Sequence, residues 1–98
     1  LPYSLKATIK EKTFVVWVTN VPDDSRGGAA ISLDNNDGVF DAIVFGEIMP
    51  GKWMAGSEYH NCSQKKQDAY PVENGEKKEC VQIAVTYSSE RITLYRNG

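Results

Sequence analysis

Val81-Gln82-Ile83-Ala84-Val85-Thr86-Tyr87, a break at Ser88-Ser89-Glu90, and Arg91-Ile92-Thr93-Leu94-Tyr95 decide the fold. Val81, Ile83, Val85 and Tyr87 alternate with Gln82, Ala84 and Thr86; after the break, Ile92 and Leu94 alternate with Arg91, Thr93 and Tyr95. Successive strand side chains point to opposite faces, so a period of two turns one set to a core and the other to water. The pair predicts a half-buried antiparallel hairpin.

The same reading extends upstream. Thr13 to Thr19 is a run of β-branched and aromatic residues, apolar on both faces, which predicts a central strand with Trp17 in the core. Asn20-Val21-Pro22-Asp23-Asp24 and Gly27-Gly28 break it. Ala29 to Leu33 predict a short strand, and Asp37-Gly38 a hairpin turn into Val39 to Glu47. In Met49-Pro50-Gly51-Lys52, Pro and Gly suit the central positions of a type II turn, with Trp53 to Tyr59 returning. No segment carries a useful amphipathic helical stripe, so the chain reads as all-β, an antiparallel β-sandwich.

The 98 residues suffice for one domain, 1–98. A net charge of −2, from 11 Lys plus Arg against 13 Asp plus Glu, leaves no basic stripe and argues against nucleic acid. Lys65-Lys66 and Glu76-Lys77-Lys78-Glu79 mix signs, as a solvated loop does. No apolar run reaches the ~20 residues that cross a bilayer, so membrane insertion is not expected. Leu1-Pro2-Tyr3-Ser4, with no initiator Met or basic leader, reads as the start of a mature or excised piece.

Cys62 and Cys80 bracket a polar loop containing Pro71 and Asn74-Gly75. Zinc needs four ligands and only His60 is nearby, so a disulfide is expected over two unlinked thiols or a metal site. Closing a loop of about 19 residues would contribute roughly 3 kcal/mol. An oxidised pair implies a secreted, extracellular or periplasmic setting. Asn61-Cys62-Ser63 also fits the short N-glycosylation pattern at Asn61.

The chain stops at Asn97-Gly98, the most favourable two-residue hairpin turn. A returning strand is therefore expected, beyond this chain or from another one. A truncated sandwich of this kind would leave Phe14, Val16, Ile83 and Val85 wet and would self-associate or depend on its missing part.

Val81 to Tyr87 followed by Ile92-Thr93-Leu94-Tyr95-Arg96-Asn97-Gly98 resembles the signature hairpin of laminin-G-like, concanavalin-A-like jelly rolls. Phe14-Val15-Val16-Trp17-Val18 resembles an earlier strand of that family, and Gly27 to Leu33 and Phe40 to Gly46 stand in the order of the strands between. The Trp-His that usually precedes the hairpin is absent, and such domains commonly run to about twice this length. The resemblance implies the N-terminal part of a jelly roll.

Glycosidases on that scaffold pair carboxylates ~5 Å apart, yet no Glu-x-Asp or Asp-x-Glu lies on an expected strand and Asp41 has no acidic partner two residues away. His60 has no nucleophile suited to it, so no catalysis and no cofactor are expected. Asp34-Asn35-Asn36-Asp37-Gly38 resembles a calcium loop, but placing Gly38 at the invariant glycine puts Leu33 and Val44 at the terminal ligand positions, where neither supplies oxygen. A plain turn is favoured. The family resemblance still permits a rim calcium site with Asp23-Asp24.

Trp53, Tyr59, His60 and Tyr70 are the candidate ligand-binding residues, because aromatic faces beside a long loop stack on sugars or anchor proteins. Core or edge packing is the competing reading for Trp53, and loop surface for the others. The expected function is non-catalytic recognition of carbohydrate or a protein partner outside the cytoplasm. The alternative is an assembly element that pairs through β-edges.

Overall fold

The computed structural model describes residues 11–19, 27–35, 37–47, 49–57, 71–73, 79–89 and 91–98. Six strands account for most of them: β1 (Lys12–Val18), β2 (Gly28–Asp34), β3 (Phe40–Phe45), β4 (Trp53–Ser57), β5 (Val81–Tyr87) and β6 (Ile92–Arg96). They form two three-stranded antiparallel sheets, ordered β1-β5-β6 and β2-β3-β4. No helix occurs among the described residues, and none is long and apolar enough to cross a membrane.

The expected turns form for the expected reasons. Gly51 takes φ +74° and the Lys52 amide donates to the Met49 carbonyl, closing the turn around Pro50-Gly51. Between β2 and β3, the Asn35 side-chain oxygen accepts from the amides of Asp37 and Val39, while Gly38 sits at φ +83°. The Ser88 hydroxyl and amide both bond to Arg91 and close the β5–β6 hairpin. Asn97 has φ 53° and Gly98 φ 103°, both positive.

Register decides the faces. Phe14 pairs with Val85 and Val16 with Ile83, while Val85 also pairs with Leu94, so these apolar side chains line one face. The facing sheet contributes Ile43, Phe45, Trp53 and Ala55, with Ile31 at its margin, and the two faces share one core. Across it β1 approaches β2 and β6 approaches β4. Phe45 stacks at a tilt on Trp53 at 4.8 Å, and Phe14 meets Tyr87 edge-on at 5.5 Å.

Two expectations are corrected here. Ile83 and Val85 are fully buried and Phe14 and Val16 half-buried, because the second sheet covers the inner face that was expected to be wet. β1 is an edge strand, and Trp17 is 63% exposed on its outer face. Among the described residues, the strands apolar and buried on both faces are the neighbours β3 and β4. Ala42 and Val44 of β3 join Met54 of β4 in a second cluster on the far side of β2-β3-β4.

Candidate functional site

Sheet β1-β5-β6 turns an uncharged surface away from the core. Strand pairing sets it out in rows: Thr13–Thr86–Thr93, then Val15–Ala84–Tyr95, then Trp17–Gln82. Asn97 extends the last row, its amide donating to the Gln82 carbonyl and its side-chain oxygen accepting from the Gln82 amide. Val15, Trp17 and Tyr95 are 43%, 63% and 42% exposed, so three large apolar side chains meet water together. Scattered apolar residues on a surface need no explanation, but a contiguous group on one sheet face does. The Trp and the Tyr stand on the two edge strands, with Ala84 on the strand between them.

Polar groups lock the two sheets together beneath this face. At one end Glu73 is the hub. Its Oε1 accepts from Trp53 Nε1 at 2.7 Å and from Arg96 Nε at 2.6 Å, and its Oε2 from Arg96 Nη2 at 3.1 Å. The hydrogen bond to Glu73 raises the Arg96 pKa further above its normal high value. Backbone bonds set Glu73 there: Trp53 N–H donates to Pro71 O and Glu73 N–H to Gly51 O, so the 71–73 segment pairs beside the start of β4.

At the other end Lys12 forms an ion pair with Asp41 across the sheets and lies 5.0 Å from the centre of the Tyr87 ring. The Tyr87 hydroxyl donates to the carbonyls of Ala42 and Gly56, each at 3.3 Å. Burial first, then the nearby Asp41 carboxylate, push the phenol up to about 12, against a lowering by its bond to Ala42. Asp41 and Glu73 are therefore both held by cations as inter-sheet ties. The described residues contain no cluster of His, Cys, Asp and Glu suited to a metal.

The candidates read from sequence fare differently. Trp53 is 1% exposed with its indole N–H committed to Glu73, so it is a core residue that no ligand reaches. The core assignment won because Trp53 pairs with Phe45 on the inward face of its sheet. Cys80 is a free, exposed thiol, so the disulfide expected between Cys62 and Cys80 is not made at Cys80. A bridge needs Cα atoms within roughly 7 Å, and bracketing a loop in sequence does not ensure that. Cys62, Tyr59, His60, Asn61 and Tyr70 lie outside the described residues, as do Asp23 and Asp24.

Trp17 and Val15 escaped the sequence reading because an apolar run on both faces suggested burial on both. Tyr95 was legible, since it alternates with Ile92 and Leu94 and falls on the water side of the hairpin. The missing piece was register: only the pairing of Trp17 with Gln82 shows that it shares the wet face of β5. No protein-family model matches the chain, and no curated protein or solved structure does either.

Proposed function

We propose that this chain is a non-catalytic recognition module whose binding surface is the outer face of sheet β1-β5-β6. One observation carries the reading: Trp17, Val15 and Tyr95 are exposed together in uncharged rows on one face of the sheet. Keeping such side chains in water has no structural benefit, whereas covering them with a partner releases that water. The enclosed carboxylates Asp41 and Glu73 serve as ties between sheets, which supports a binding role over an acid–base one. Carbohydrate or a protein partner fits the face, and the extracytoplasmic setting is carried as part of the proposal, with no disulfide at Cys80 in its favour. We carry the laminin-G-like, jelly-roll resemblance of the sequence as part of this proposal.

Arrays of glycans and extracellular proteins, probed with the chain and with a Trp17→Ala/Tyr95→Ala double variant, test the reading. Every ligand held by the parent should be lost by the double variant while its melting temperature stays close to the parent's. Retained binding, or no ligand for the parent, overturns it. A second reading, assembly through β-edges, is favoured by β2, an edge strand with six of its seven residues exposed and no charge before Asp34. Under that reading, sedimentation shows concentration-dependent association that Ala30→Lys abolishes. A parent that stays monomeric removes it.

A further inference from the structure

We infer that the outer face of sheet β1-β5-β6 binds a neutral, unbranched pyranose chain lying obliquely across the three strands, stacked on Trp17 and Tyr95. This rests on the reading of that face as the recognition surface and names what it recognises.

The argument begins with charge. None of the side chains in the three rows is an acid or a base. A polyanion such as a sulfated glycan, a uronate polymer or a nucleic acid draws its affinity from Lys and Arg, and these rows present neither. A cationic partner would look for carboxylates, and the rows hold none. What remains is aromatic surface with neutral hydrogen-bonding groups. Gln82 both donates and accepts through its amide, and the row Thr13–Thr86–Thr93 sets three hydroxyls across the sheet. Alternating C–H faces and hydroxyl edges are the chemistry of a pyranose ring. The faces stack on aromatic rings and the edges exchange hydrogen bonds with amides and hydroxyls.

Geometry adds length and direction. Trp17 and Tyr95 stand two strands apart and two residues apart along the strand direction. Strand spacing and rise put their Cα atoms about 12 Å from each other. Ala84 lies on the strand between, and its small side chain leaves the floor low between two aromatic ridges. A site of that span takes several linked sugars rather than one.

Calorimetric titration of the chain with cellohexaose, mannohexaose and xylohexaose, alongside heparin and polygalacturonate hexamers, tests the proposal. At least one neutral hexamer should bind. Trp17→Ala and Tyr95→Ala should each weaken it about tenfold or more. The dissociation constant should change less than about twofold between 50 and 200 mM salt, unlike that of a polyanion complex. Failure of every neutral hexamer to bind overturns the inference. So does preference for the charged hexamers with steep salt dependence, or a concentration-dependent dimer that Trp17→Ala dissolves. With the dimer, or if only protein ligands are lost with the double variant, the recognition face itself stands; a salt-steep preference for the charged hexamers removes the face as well, since its rows hold no base to bind them. Binding of a neutral hexamer indifferent to both substitutions overturns the inference and the proposed face together.

Discussion

The two sheets turn opposite surfaces away from their shared core. On the far side of β2-β3-β4, Ala42, Val44 and Met54 are 1%, 4% and 6% exposed. On the far side of β1-β5-β6, Val15, Trp17 and Tyr95 are 43%, 63% and 42% exposed. Both faces carry large apolar side chains, and β1 and β3 both carry apolar residues on their two sides, yet only one set is covered. Apolar patterning thus marks surface that gains by being covered; it does not say whether this chain or a partner does the covering. The two tryptophans make the contrast sharpest, with Trp53 sealed between the sheets and Trp17 in water.

The largest expected effect lies on the buried side of that contrast. Trp53→Ala should destabilise the fold by about 3–5 kcal/mol, from the lost burial and the cavity left behind. It also removes one of the donors that satisfy Glu73. Urea denaturation measures this, and a cost under 1 kcal/mol would mean that Trp53 is not a core residue.

Next comes the tie at Tyr87, which pH can loosen without mutation. The folded state holds this phenolic proton up to about 12, against an ordinary value of 10.0. Below pH 10 both states keep the proton and the stabilisation is whole. Between pH 10 and 12 the unfolded chain releases it first, so stability falls, by up to about 3 kcal/mol. Denaturation from pH 9 to 12 should therefore show a steeper loss for the parent than for Tyr87→Phe. Parallel curves would detach Tyr87 from that loss.

A matched pair of substitutions compares the outer faces directly. Val44→Thr places a hydroxyl in a buried apolar cluster and should cost about 1–3 kcal/mol. Val15→Thr makes the same change on the exposed face, where threonine suits a strand, and should stay within about 0.5 kcal/mol. Equal costs would erase the difference between the faces. As small is the effect of Trp17→Ala, which should alter stability by no more than about 0.5 kcal/mol. A large fall in the unfolding midpoint would place Trp17 in a packed environment and withdraw it from recognition.

The sequence by itself determined the strands and the turns. Alternation over Val81–Tyr87 and Ile92–Arg96, Pro50-Gly51 before β4 and the positive-φ residues Gly38 and Asn97 are local signals, because side-chain period and turn sterics depend on neighbours in the chain. The tertiary structure alone decided which strands share a sheet and which faces are covered. Trp17 reads as core until its pairing with Gln82 puts it on the wet side of an edge strand; Trp53 stays open between core packing and ligand binding until Phe45 and Glu73 enclose it. Glu73 meets Trp53 and Arg96 across 20 and 23 residues, and no local pattern announces such partners. Cys80 bracketed a loop with Cys62 in sequence and still stands as a free thiol. Burial, pairing and exposure depend on what distant segments bring to a residue, and that is set only when the sheets pack.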